Sequence, residues 1–401
     1  MVESEHKILE TSTIINRIIG KTEGKTKGAT VVFFAGMHGN EKAGLTALQH
    51  AFKHIKKKQV KGNIYGLLGN IKALNLNQRY IDEDLNRLWV PSKIETILNN
   101  SNYSNEEQEA IELYNVLQTI LKKHKGPFYF IDFHTTSSVS LPFITINDAL
   151  INRKFSKLFP VPIVLGIEEF LEGPLLSYIN QLGYVSLGFE AGQHDLKTSI
   201  TNCIAFTFLT LNFTGIMEKE HVLNFEKHFQ VLKNEAEQIK NVFEVIYQYK
   251  IHPNEKFKMI NGFKSFQPIK KGTPIATSNN IEILSRYNAK IFMPLYQTKG
   301  NDGFFIIKTI KPFYLRLSEF LRSIRFDELL VFLPGISWIN NTKGALIVNL
   351  RVAKFLAKPF FHLLGYRSKQ EGATHLRLFS REKEAKTKMY KNEDWYKKIS
   401  R

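Results

Sequence analysis

The feature that most constrains the fold is a series of apolar runs across the first 190 residues, each closed by turn residues or followed by a helical pattern. They are "TVVFFAG" (30–36), "GNIYGLLGN" (62–70), "PFYFIDFH" (127–134), "PFITI" (142–146), "PVPIVLG" (160–166) and "GYVSLGFE" (183–190). Runs this short and this continuously apolar suit strands buried on both faces, and such strands need helices to cover them. Helical pieces stand between them, including "EKAGLTALQHAFKHIKKK" and "SNEEQEAIELYNVLQTILKKHK". In the second, Ser104 with Glu107 three residues on predicts a capping box. An α/β domain over residues 1–218 follows. After the helical "TNCIAFTFLTLNFTGIM", residues 219–242 read as a charged linker helix, and Pro, Gly and Lys punctuate short strands from about 243. Residues 219–311 are therefore expected to hold the linker and a small β-rich domain, and residues 312–401 a basic extension of mixed character. Within the extension, "LRVAKFLAKPFFHLLGYR" mixes cations with large apolar residues as membrane-surface segments do, but Pro359 interrupts it; packing onto the β-rich domain is expected instead.

Composition narrows the chemistry. A single cysteine, Cys203, excludes an intramolecular disulfide and a Cys-based zinc cluster. Any metal must use His and carboxylates, and a reducing, cytoplasmic setting is expected. The N-terminal residues show no apolar core before a small-residue cleavage site, so no signal peptide is expected. No segment offers the roughly eighteen uncharged apolar residues of a spanning helix. Of the net charge of +18, much lies at the end, where residues 315–401 hold 18 Lys and Arg against 8 Asp and Glu. A solvated surface explains that better than nucleic acid, which is not expected as a partner; a homo-oligomer is compatible with the sequence.

Three strand ends carry candidate chemistry. His38 and Glu41 occupy a glycine-rich turn between a buried run and a helix, a place where α/β sheets build their sites. Asp132 and His134, two apart at the end of another run, share one face. If His134 joined His38 and Glu41, two His and one Glu with an open position would make a catalytic zinc set; taken singly, each also fits an ordinary hydrogen-bonded residue. Glu190 ends a third run, where a carboxylate beside an activated water can move its proton, although an isolated glutamate at a strand end is commonly an ion-pair partner. The loop "RYIDEDLNRLW" (79–89) packs two arginines, an asparagine and three acids into eleven residues. Arg79 suits an oxyanion, and Asn86 with Arg87 suits a carboxylate. A salt-bridged loop in which Asp84 pairs an arginine fits the same residues.

In their order and at strand ends, "HGNE", "RYIDEDLNR", "DFHTTS" and "FEAG" resemble the aspartoacylase/succinylglutamate desuccinylase family of zinc carboxypeptidase-like enzymes, over roughly residues 28–215. "HPNEKF" and "IFMPLYQTKGNDGFF" look like that family's C-terminal β-domain. The resemblance implies a zinc-carboxypeptidase-like mixed sheet flanked by helices, with one zinc ion per chain on His38, Glu41 and His134. It implies Glu190 as the base, Arg79 stabilising the oxyanion and held by Asp84, Asn86 and Arg87 on a substrate carboxylate, and Tyr296 touching the substrate. The implied activity is hydrolysis of a small-molecule amide, an N-acyl amino acid or similar carboxylate, by Glu-assisted attack of zinc-bound water. One departure bears on substrate: where aspartoacylases place a carboxylate-binding arginine, this chain has Asn180. A carboxypeptidase or peptide amidase is the rival enzyme, and a non-catalytic protein docking through its basic C-terminal region is the rival of another class.

Overall fold

All six apolar runs form strands in the computed structural model, which describes residues 16–339, 343–353, 358–371 and 374–399. The stretch read for a leader peptide falls largely outside them. Through the first part of the chain the strands are β1 (Ile18–Glu23), β2 (Thr26–Ala35), β3 (Lys61–Leu68), β4 (Phe128–Thr136), β5 (Phe143–Ile146), β6 (Ile163–Leu165), β7 (Val185–Gln193) and β8 (Val242–Lys250). Then come β9 (Phe257–Met259), β10 (Pro268–Ile269), β11 (Pro274–Ser278), β12 (Ile281–Leu284), β13 (Ala289–Phe292) and β14 (Asp302–Thr309). Eleven of them make one sheet in the order β1-β3-β2-β4-β7-β5-β6-β8-β14-β13-β10, while β12-β11-β9 form a small sheet of their own.

The centre of the large sheet is parallel, β3, β2, β4 and β7 running together, and β5 turns antiparallel to β7. Helices cover both faces because neither face of these strands is polar. One face carries Val31, Phe33, Ile131, Phe133, Leu187 and Phe189 and packs with Phe206 and Leu209 of the helix Lys197–Phe213. The other carries Val32, Phe34 and Phe130 and packs with Leu113 and Leu117 of the helix Asn105–Lys123. Fully burying each such side chain is worth about 1.5–3 kcal/mol relative to leaving it exposed. That helix begins with the expected capping box, Ser104 Oγ accepting from Glu107 N and Glu107 reaching back to Ser104 N. Strand alternation then fixes the site: Asp132 and His134 share the face of Phe130, and Glu190 stands two residues after Gly188 on β7.

The extension has its own antiparallel sheet of β15 (Ile336–Trp338), β16 (Ala345–Asn349), β17 (Tyr366–Glu371) and β18 (His375–Ser380), in the order β15-β16-β18-β17. Phe361 and Leu364, from the segment expected to pack on the β-rich domain, are buried with Leu346, Val348 and Leu376. The segment therefore serves the extension's own core; residues 354–357 of it lie outside the described residues. No helix among the described residues is long and apolar enough to cross a membrane.

The extension is also tied to the first domain through buried polar groups. Tyr390 Oη donates to Phe128 O at 2.6 Å and accepts from Val185 N at 3.0 Å, and Trp395 Nε1 donates to Tyr129 Oη at 2.9 Å. Arg322 donates from Nη2 to Asp148 Oδ2 and from Nη1 to Asp148 O, both at 2.7 Å. Burial pushes the Asp148 carboxyl upward, but Arg153 and Arg322 outweigh it and hold it well below its ordinary value. A depressed carboxyl stabilises the fold above its unfolded value near about 3.9 and loses that contribution as pH falls through the folded value. Arg322→Ala should destabilise the protein by about 3–5 kcal/mol in urea unfolding, because it leaves part of a buried charge unpaired. A loss within about 0.5 kcal/mol, typical of an exposed surface position, would show the tether to be dispensable.

Candidate metal centre and active site

Beyond Ala35 the chain leaves β2 at Gly36, whose φ of +67° is ready for glycine but strained for other residues. Gly39 lies so close to the short helix Ile71–Asn75 that a Cβ there would collide with the backbone of Ala73. The turn so pressed holds His38 and Glu41 before the helix Ala43–His54 begins. β4 is the neighbour of β2, and the register of β4 against β7 sets His134 opposite Glu190. Three adjacent strand ends thus deliver all four residues to one place.

His38 Nδ1 is 2.8 Å from Glu41 Oε1, and His134 Nδ1 is 3.0 Å from Glu41 Oε2. Each ring has its other nitrogen against a carboxylate: His38 Nε2 lies 3.0 Å from Asp84 Oδ1, and His134 Nε2 lies 2.9 Å from Asp132 Oδ2. A carboxylate at Nε2 favours a proton there and leaves Nδ1, on the side of Glu41, as the atom that could bind a metal, the arrangement that outer carboxylates impose on metal-binding imidazoles. Thr135 N donates to Glu41 Oε2 at 3.0 Å and fixes that carboxylate. Ligand atoms of His38, Glu41 and His134 all lie within 4.8 Å of one another. Two imidazoles and one carboxylate, each buttressed, fit a zinc ion.

Burial alone would raise the Glu41 carboxyl, but the two imidazoles outweigh it and hold it well below the usual carboxylate range. Asp84 behaves likewise, His38 and Arg79 overcoming its burial. Glu190 is different. It lines a cavity of about 140 Å³, its Oε2 has no partner, and burial pushes its carboxyl up to about 8. A carboxyl in that range can both take and give a proton near neutral pH.

Arg79 reaches the same cavity. Its Nη1 lies 3.4 Å from Glu41 Oε1 and its Nη2 3.2 Å from Asp84 Oδ2, while Nε has no partner. Buried Glu106 grips the arginine loop, accepting from Ile81 N at 2.7 Å and Asp82 N at 3.0 Å. Asn86 and Arg87 line the cavity too, though both are engaged. Asn86 Oδ1 accepts from Leu175 N at 2.9 Å, and Arg87 Nη2 donates to Asp302 Oδ2 at 2.9 Å. Tyr296 stands apart from the cavity lining: its hydroxyl donates to Ile260 O at 2.8 Å and accepts from Phe263 N at 3.0 Å. The neighbouring Gln297 lines the cavity in its place, its Oε1 accepting from Asn40 Nδ2 at 3.1 Å. Asn180 also lies off the cavity lining, its amide donating to Leu176 O at 2.7 Å.

Four contributors went unread in the sequence: Asp132 as the support of His134, Glu106, Asp302 and Gln297. Asp132 had a signal, its two-residue spacing from His134. Glu106 looks like any acid in the first turn of a helix, and Asp302 is 215 residues from the arginine it meets.

A sheet whose central parallel strand ends gather two imidazoles, a bridging carboxylate and a lone buried carboxyl defines an α/β domain with a buried group that could hold a metal ion. Residues 27–197 match the model of the succinylglutamate desuccinylase/aspartoacylase catalytic domain. A probable aspartoacylase of Acaryochloris marina is 29% identical over 162 residues, 38% of this chain and 52% of that protein. A succinylglutamate desuccinylase of Pseudomonas aeruginosa is 27% identical over 113 residues, 28% of this chain and 32% of that protein. The chain thus spans about half or less of the length of these curated relatives. The succinylglutamate desuccinylase/aspartoacylase structure from Rhodobacter sphaeroides shares the fold with a TM-score of 0.55 at 16% identity, covering 73% of this chain and 88% of that one. The product-bound ectoine utilization protein EutE (DoeB) of Ruegeria pomeroyi gives 0.54 at 16% identity over 72% and 87%.

Asp132→Ala should weaken zinc binding about 10–100-fold in competition with a chromophoric chelator, because His134 loses the carboxylate that orients it. Unchanged affinity would remove Asp132 from the site's design.

Proposed function

We propose that the protein is a zinc-dependent amide hydrolase that removes the acyl group from an N-acyl amino acid or similar carboxylate-bearing small molecule. The observation that carries this reading is the convergence of three buttressed donors with Glu190, whose buried Oε2 has no partner in the same cavity. His38, Glu41 and His134 would hold the zinc ion, which when bound supplies a Lewis acid that makes water acidic near neutral pH and polarises a carbonyl oxygen.

Glu190 then takes the proton of the attacking water at Oε2 and hands it to the departing nitrogen. Its raised proton affinity suits that second transfer. Arg79, fixed by Asp84 and Glu41 and with Nε unengaged, donates to the oxygen on which negative charge develops. Asp132 and Asp84 keep the imidazoles in one tautomer throughout. Arg87 can take a substrate carboxylate by exchanging it for Asp302, since a guanidinium fork accepts either. The apolar walls displace water from the reacting bond, strengthening each of these contacts.

Zinc-loaded wild type should hydrolyse one or more members of a panel of N-acyl amino acids, and Glu190→Gln should lower kcat by about 10²–10⁴-fold. Elemental analysis should find one zinc per chain, lost in His38→Ala. A panel that includes dipeptides distinguishes the rival peptidase: cleavage of dipeptides alone would sink the deacylase reading.

A further inference from the structure

The hydrolase reading leaves open what kind of amide is taken, and the cavity itself bears on that. Its charged walls are arginine–carboxylate pairs in which the acid is already in place. On one side Arg87 and Asp302 both line the cavity, joined at 2.9 Å, and Asp302 also accepts from Gln248 Nε2. On another, buried Glu168 lines the cavity while Arg381 does not; Arg381 Nη2 donates to Glu168 Oε1 and Glu169 Oε1, both at 2.8 Å. Arg79 is paired with Glu41 and Asp84. Among the described residues that line the cavity, each arginine therefore already faces a carboxylate.

Between these pairs the wall is mostly apolar, formed by Ile146, Ile167, Leu171, Leu176, Leu295 and Phe305, with uncharged side chains such as Thr145, Asn147 and Ser177 among them and no further cation of the arginine or lysine kind. Gly188 lets the Thr145 side chain close in on β7, because a Cβ there would collide with Thr145 Oγ1. One substrate carboxylate can replace Asp302 on Arg87. A second would be desolvated against aliphatic side chains with no unpaired cation to receive it, and it would stand near the resident acids Glu168 and Asp302. Burying a charge without a partner costs far more than a small ligand's contacts return. An uncharged apolar group meets no such cost and gains from the aliphatic wall.

We infer that the cavity selects amides whose buried substituent is uncharged and apolar and which carry at most one carboxylate, with Asp302 as a specificity-determining residue that neutralises Arg87. This rests on the hydrolase reading for its setting, but it can be tested by binding alone. Binding would be measured by calorimetry on zinc-loaded Glu190→Gln protein, with and without Asp302→Asn. Asparagine keeps the acceptor for Gln248 and removes only the charge.

The ligands would be N-acetylleucine and N-hexanoylglycine, which put the apolar group on the amine or the acyl side, against N-acetylaspartate and N-succinylglutamate. The first pair should include a ligand bound at least about tenfold more tightly than either of the second pair, a difference of about 1.4 kcal/mol. Asp302→Asn should tighten the ligands with several carboxylates and narrow that gap. The inference is overturned if those ligands bind wild-type Asp302 as well as the apolar ones do, if the asparagine leaves the gap unchanged, or if none of the four binds. Selective binding with no turnover by the protein that retains Glu190 would instead sink the hydrolase reading and leave the selectivity standing.

Discussion

The Glu41 carboxylate, bridging two imidazoles, is the contact on which the rest of the site depends. Its Oε1 meets His38 and its Oε2 meets His134, so one side chain sets the distance between two strand ends. Such a buried acid is costly unless every lone pair is engaged. The chain meets that cost with His38, His134, Arg79 and the amide of Thr135. Asp84 and Asp132 behind the rings then complete a cluster in which carboxylates and imidazoles alternate. The cluster is preorganised, because Glu41, His38, His134 and Asp84 each hold at least two partners and cannot turn without breaking two contacts.

Glu190 owes its properties to exclusion from that cluster. It is opposite His134 across the β4–β7 ladder, yet its Oε2 receives no hydrogen bond. Where Glu41 and Asp84 are burdened by burial but rescued by the imidazoles and, for Asp84, Arg79, Glu190 is burdened and only partly relieved. Carboxyls in neighbouring environments are thereby pushed apart in proton affinity, and that separation suits them to the two roles proposed above, metal ligand and proton carrier. An unsatisfied buried oxygen is tolerated where function needs one.

The strands were legible because two-sided burial leaves a continuous apolar run that no surface segment imitates, and the capping box at Ser104 because it is local. His38, Glu41, His134 and Glu190 could be proposed as a group since each follows or ends such a run. What the sequence hid was whatever depends on distant pairing. Arg87 reads as a free carboxylate fork until Asp302 is brought beside it by β14, and Tyr296 reads as a cavity residue until its hydroxyl is seen bound to the backbone at Ile260 and Phe263. Basic residues after 312 suggested a charged surface, whereas Arg322 and Arg381 are buried in ion pairs with acids of the first domain. Charge counts report composition and carry no information on which cations are neutralised.

Those ion pairs make the extension part of the cavity's construction. Asp148, held by Arg322, follows Asn147, and Glu168, held by Arg381, follows Ile167; Asn147, Ile167 and Glu168 all line the cavity. Loops of this kind are ordinarily the most mobile part of an α/β domain. Here they are pinned from behind by guanidiniums whose own positions depend on the packing of Leu346, Leu378 and Tyr366 in a separate core. The aliphatic wall then keeps its shape because the acids beneath it cannot leave their arginines without exposing a buried charge. The shape of the cavity therefore depends on residues more than 150 positions further along the chain that do not line it.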